Sequence, residues 1–99
     1  MCGRFAFYSP REAITELFHV EFPLELEPRF NISPTQYVVA LRQQENEAQG
    51  FTIEPALLRW GLIPSWAKDP RVGNRMINAR AETVDTKPSF RAAFKRRRC

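Results

Sequence analysis

The chain has 99 residues, 43% hydrophobic and 12% aromatic, with 15 Lys and Arg against 11 Asp and Glu for a formal net charge of +4. That length allows one small domain at most, and the apolar share excludes wholesale disorder. No stretch approaches the ~20 apolar residues of a membrane span, and no basic-then-apolar signal peptide opens the chain. Two cysteines at opposite ends and one histidine make neither a CxxC pair nor a zinc set. The expectation is a cytoplasmic, reduced setting with no metal and no cofactor. The basic balance is compatible with nucleic-acid binding without establishing it, because Lys95-Arg96-Arg97-Arg98 also reads as a solvated tail.

Residues 2–8 predict a short strand with Phe5 and Phe7 on one face and Arg4 on the other. Ser9-Pro10-Arg11-Glu12 reads as a capping box, with Ser9 as cap and Pro10 at the first helical position. Ala13, Ile14, Leu17 and Phe18 then give a helix its apolar face, and His19 at its end reads as a residue suited to the helix dipole. Residues 21–35, rich in proline and acid, predict an irregular loop with a short extended piece before Pro34. The β-branched run 37–41 predicts a strand, 42–50 a polar hairpin connection, and 51–60 the returning strand. Pro55 within it implies an edge or a bulge. Gly61 to Ala67 reads as a loop, 76–81 is ambiguous, and Ser89 predicts the cap of a short helix through Phe94. So few strands leave exposed edges, which predicts either a fragment or completion of the core by another copy.

Four groups are candidates for chemistry. Cys2 stands behind the initiator methionine, which is clipped when the next residue is small. Removal would expose an amine beside a thiol, and such a 1,2-aminothiol condenses with an aldehyde to a thiazolidine. An α-amino group titrates at roughly 7.7–8.0, so part of it is neutral and nucleophilic near neutral pH. A lone cysteine near a terminus is more often a small buried apolar residue. Trp60-Gly61 and Pro64-x-Trp66 place one tryptophan at a strand end, suited to a core, and one on a loop, suited to a nucleobase. Alternation through 77–83 would put Asn78, Arg80 and Glu82 on one side: an amide for a sugar, a guanidinium for phosphate and a carboxylate to fix it. An exposed strand face explains the same pattern. Finally, the arginines at 4, 29, 59, 71, 75, 80 and 91 suit bidentate phosphate contacts, though composition bias does almost as well.

Met1-Cys2-Gly3-Arg4-Phe5, Arg29-Phe30-Asn31-Ile32-Ser33-Pro34, Trp60-Gly61-Leu62-Ile63-Pro64-Ser65-Trp66 and Asn78-Ala79-Arg80-Ala81-Glu82-Thr83 resemble, in order, successive motifs of the SRAP domain, the SOS-response-associated peptidase family. The resemblance implies an α+β fold, mainly antiparallel β-sheet with flanking helices. Residues 1–99 would be the N-terminal portion of a single such domain, covering about its first half.

It further implies loss of Met1 and a covalent thiazolidine crosslink from Cys2 to the ring-opened abasic site of single-stranded DNA, which shields the lesion during the DNA damage response. Asn78 matches the family's active-site asparagine, and Arg4 and Arg80 match phosphate-contacting arginines. Asn31, Pro34 and Trp66 match loops that shape the DNA cleft, Trp66 as a wedge. Ala67 stands where many bacterial members carry a second tryptophan. The family's catalytic glutamate and histidine match positions downstream of Cys99, and His19 matches neither. The 99-residue chain is therefore expected to be impaired, and a retained Met1 would block the amine. Two other readings are a cysteine-type peptidase that removes its own leader, and a non-enzymatic single-stranded-DNA-binding fragment that oligomerises or swaps domains.

Overall fold

A computed structural model of the chain describes residues 2–22 and 25–99. Met1, on which the capping of Cys2 turns, and Pro23 and Leu24 of the expected loop lie outside the described residues.

The fold is α+β, with two small open antiparallel sheets and flanking helices. The first sheet pairs β1 (Phe5–Phe7) with β2 (Arg29–Ile32). The strand expected over 2–8 is thus ladder-paired only at its centre. The extended piece expected before Pro34 becomes its partner. Phe5 pairs with Ile32 and Phe7 with Arg29, so the single residue Ala6 stands opposite both Phe30 and Asn31. This is a β-bulge, in which two residues of one strand share one partner. It accounts for two consecutive exposed residues, Phe30 and Asn31, between half-buried Arg29 and buried Ile32.

Helix α1 (Arg11–Phe18) starts one residue later than the capping box implies. Pro10 occupies the cap position in an extended conformation and no side chain caps the helix. Its carbonyl accepts from Ala13 at 3.1 Å, and Ser9 is left outside. A proline's fixed φ suits the boundary as well as the first turn, and its ψ of 152° places the boundary here. His19 ends the helix in the left-handed region, at φ 54°.

The second sheet is a hairpin of β3 (Tyr37–Asn46) and β4 (Gly50–Arg59), in unbroken register from Tyr37 opposite Arg59 to Asn46 opposite Gly50. The connection expected over 42–50 shrinks to a tight turn. Asn46 Oδ1 accepts from Ala48 at 2.9 Å, and Gly50 takes φ 80° where a side chain is disfavoured. The polar residues 42–46 are strand because a two-stranded ribbon leaves much of its surface wet, so they need not alternate. Pro55 sits opposite Leu41, and both strands of this ribbon are edges, as its presence implied.

Beyond the hairpin lie the 3-10 turn Pro70–Arg75, which no sequence signal announced, and helix α2 (Arg91–Arg96). Phe90, not Ser89, occupies the α2 cap position, and no side chain caps it. The helix grows instead from the turn in which Lys87's carbonyl accepts from Phe90 and Arg91. The row expected over 77–83 is not a strand. The backbone is irregular to Arg80 and then turns, with Thr83 N–H donating to the Arg80 carbonyl at 3.2 Å. Asn78, Arg80 and Glu82 therefore do not share a strand face.

The core gathers Ile14 of α1 with Val20 and Phe22, and Phe7, Leu26, Val39 and Leu41 pack against it. Among the described residues, Ile32 of β2, 2% exposed, is the most deeply buried large side chain. Truncation there removes apolar contact and leaves a cavity. Ile32→Ala is expected to cost about 2–5 kcal/mol, read as a lower urea midpoint at unchanged slope.

Candidate functional site

The site is assembled around the end of β4. Trp60 follows it directly and is half-buried. Its backbone N–H donates to the Gln36 carbonyl at 2.9 Å, and its carbonyl accepts from Thr35 at 2.8 Å. Its indole Nε1 donates to the Ile77 carbonyl at 2.9 Å. Its ring meets Phe5 edge-on, with centroids 5.2 Å apart at 67°. One side chain thus holds β1 and residue 77 to the end of the hairpin.

Next to it the backbone makes a close crossing. Leu62 N–H donates to the Met76 carbonyl at 3.0 Å. Gly61 has φ 134°, and a Cβ there would stand 2.5 Å from the Gly73 carbonyl oxygen. A Cβ on Gly73 would in turn meet Ile63 Cγ1 at 3.0 Å and the Gly61 carbonyl oxygen at 3.2 Å. Two glycines let the chains touch, and residues 76–78 are delivered beside β1.

Asn78 emerges from this packing half-buried, and its Nδ2 donates to the Cys2 carbonyl at 2.7 Å. The thiol of Cys2 is free and exposed. Across the ribbon, Arg4 Nη1 donates to Asn31 Oδ1 at 3.3 Å. The structure therefore brings together Cys2 with Asn78 and Arg4 with Asn31.

Pro34 and Trp66 stand apart from these pairs. Pro34 is half-buried in the turn where Ser33's carbonyl accepts from Gln36 at 3.3 Å. Thr35 beside it takes φ 73°, a conformation costing on the order of 1–3 kcal/mol for a side chain that is not glycine. Arg29 braces the same turn, donating to the Tyr37 carbonyl at 2.6 Å and to Gln36 Oε1 at 2.8 Å. Trp66 is 57% exposed in the turn closed by Ala67 N–H on the Pro64 carbonyl at 3.0 Å. Trp60 is placed inward and Trp66 outward, as their positions on strand end and loop imply. Arg80 is exposed.

Arg4 and Arg80 share with most arginines of the chain a place outside its ion pairs. Among the described residues the ion pairs are Arg11–Glu12, Arg42–Glu54 and Arg71–Asp69, all at the surface. Arg4 and Arg80 have no carboxylate partner among them and present uncompensated positive charge. No group of three or more His, Cys, Asp or Glu among the described residues could hold a metal ion. No described helix is long and apolar enough to cross a membrane.

The bracing roles of Gln36, Gly61 and Gly73 were not read from sequence. The Trp-Gly and Arg-Phe-Asn runs marked the neighbourhoods, but only the fold shows which backbone atoms meet.

The site is thus an exposed cysteine at the second position of a small α+β chain, with an asparagine held on that cysteine's carbonyl. The family described as SOS response associated peptidase (SRAP) matches residues 1–99, and the chain belongs to it. Abasic site processing protein YoaM of Bacillus subtilis is 43% identical over 102 residues, covering 100% of this chain and 43% of its own. Abasic site processing protein YoqW of Bacillus phage SPbeta is 42% identical over 102 residues, with the same coverage. Abasic site processing protein HMCES of Rattus norvegicus is 32% identical over 118 residues, covering 100% of this chain and 33% of its own. The chain thus spans less than half the length of these curated relatives. No solved structure gives a significant match.

The 3-10 turn behind Gly73 supplies a pH test. Asp69 caps it, accepting from Arg71 N at 2.9 Å and from Arg71 Nε at 2.8 Å. The hydrogen bonds from the Arg71 side chain and then its backbone hold the Asp69 carboxyl below its ordinary value. A depressed folded-state pKa contributes stability above the unfolded value and loses it as pH falls through the folded one. The stability difference between wild type and Asp69→Asn should therefore be present at neutral pH. Thermal melts should show it shrinking in strong acid, below the ordinary carboxylate range.

Proposed function

We propose that the chain carries the nucleophilic part of an abasic-site sensor, in which Cys2 forms a covalent thiazolidine crosslink with the opened sugar of an abasic site in single-stranded DNA. The observation that carries this reading is the 2.7 Å hydrogen bond from Asn78 Nδ2 to the Cys2 carbonyl, made across 76 positions of sequence. It fixes the main chain of the residue whose amine and thiol must meet one aldehyde carbon. Freed of Met1, the Cys2 amine adds to that carbon and water leaves, giving an imine. The thiol sulfur then adds to the imine carbon, and the thiol proton ends on nitrogen. The ring closes with loss of one water in all.

Asn78 spends one N–H on the Cys2 carbonyl. Its second N–H and its Oδ1 remain for the hydroxyls of the opened sugar. Arg4, next to Asn31, and Arg80 meet backbone phosphates, whose neutralisation dominates affinity for DNA. Exposed Trp66 stacks on a base beside the lesion, and the turn at Pro34 shapes the cleft wall. An abasic site has no base edge to read, so selection rests on aldehyde reactivity and on room for a bare sugar. Acid and base groups from further along a full SRAP domain would add proton transfer to this positioning.

Intact mass spectrometry tests the reading. The Met1-processed chain, incubated with single-stranded DNA bearing one abasic site, should gain the oligonucleotide mass less one water. It should do so faster than a free peptide beginning Cys-Gly-Arg-Phe. Cys2→Ala should abolish the adduct, and Asn78→Ala should slow it about tenfold, the worth of one hydrogen bond. A rate no greater than the peptide's overturns the proposal.

The reading includes self-association. Phe51, Ile53 and Leu57 of β4 lie on one face of the hairpin and are each half or more exposed. A row of apolar side chains on an edge strand invites pairing with a second copy. Light scattering should give a mass above that of one chain, and a clean monomer removes this part of the reading.

A further inference from the structure

Tyr8 and Phe30 form a stacked pair, with centroids 5.8 Å apart and planes 22° from parallel. Both rings face solvent, at 66% and 72% exposed. Aromatic rings ordinarily bury most of their large apolar area. Here two are held together and left wet.

The bulge in the first sheet explains the placement. Arg4 and Tyr8 flank β1 and continue the alternation of Ala6 against Phe5 and Phe7, which turn toward Trp60 and the core respectively. Opposite Ala6 stand both Phe30 and Asn31. Tyr8 reaches Phe30, and Arg4 reaches Asn31. One outer face of the ribbon therefore carries an aromatic stack at one end and a guanidinium–amide pair at the other. Tyr8 lies four residues from Arg4, roughly 13 Å along an extended chain.

We propose that this face is a nucleobase-stacking subsite. It rests on the single-stranded DNA reading above and extends it. Arg4, with no carboxylate partner among the described residues, takes a phosphate. The Tyr8–Phe30 stack takes a base on the flanking, undamaged strand. An apolar protein partner would not call for an uncompensated arginine at the rim, whereas a strand of alternating phosphates and flat bases meets both ends. Stacking of this kind is tolerant of sequence, because every base offers a π-face. The subsite would grip the strand beside a lesion that itself offers no base.

Fluorescence anisotropy on the 99-residue chain tests it, comparing an oligothymidylate with an equally long oligomer of tetrahydrofuran abasic analogues. Neither contains an aldehyde, so the readout stands apart from the crosslinking of Cys2. The wild type should bind the thymidylate more tightly. Tyr8→Ala and Phe30→Ala should each weaken thymidylate binding about tenfold and leave the baseless oligomer unaffected, and Tyr8→Phe should restore it. Arg4→Ala should weaken both and flatten the salt dependence. Equal losses on both oligomers, or none on thymidylate, would overturn the subsite. So would a drop in oligomeric mass with thymidylate affinity unchanged, which would assign the face to a second copy. Binding to neither oligomer overturns the subsite together with the DNA reading.

Discussion

Trp60 is the point on which the arrangement depends. It closes the hairpin through two backbone hydrogen bonds to the Thr35–Gln36 turn, carries β1 through its ring contact with Phe5, and holds residue 77 through its indole N–H. Each sheet has only two strands, and what joins them besides Trp60 is the small core around Ile14, on which Phe7 of β1 and Val39 and Leu41 of β3 pack. A tryptophan suits the position because it joins a large apolar surface to one donor that must be satisfied where it is covered. Smaller aromatic residues could fill part of the space but not reach the Ile77 carbonyl with the same donor.

The glycine crossing supports the same placement by a different route. Gly61 and Gly73 remove side chains where two backbone segments meet, and so let residue 78 approach residue 2. The strain at Thr35 belongs to this construction as well. Its N–H is bonded to Trp60, and the preceding turn is braced by Arg29 and Gln36. A residue that is costly locally is held by neighbours whose geometry depends on it. Asn31 and Pro34 sit on the two sides of buried Ile32 and gain their position from that rigid stretch.

Much of this was legible in the sequence, and the rest was not for identifiable reasons. The apolar spacing of Ile14 and its neighbours announced α1, and the run at 37–41 announced β3, because each buries a face. The strand nature of 42–46 was hidden, since both faces of that part of the ribbon are largely wet and carry no burial pattern. The Asn78–Arg80–Glu82 alternation was misleading. Period-two spacing makes a strand only where a neighbour offers backbone partners, and among the described residues no strand pairs with this segment. Ser9 and Ser89 had the chemistry of caps but not the position, because a proline and a preceding turn set those helix starts instead. Cys2, Arg4, Asn31 and Asn78 were visible as residues. Their pairing was not, since a contact spanning 76 positions leaves no local trace. Tyr8 drew no notice because alternation alone does not reveal the bulge that turns Phe30 toward it.

The hydrogen bond from Asn78 ends on the carbonyl of Cys2, not on its sulfur. The anchor therefore recognises a peptide group and is indifferent to the side chain at that position. Placement and reactivity are separable in this architecture. The thiol can be exchanged, oxidised or alkylated while the Cys2–Gly3 peptide stays moored. Loss of Cys2 itself would remove both at once, taking away the thiol and the carbonyl that Asn78 holds.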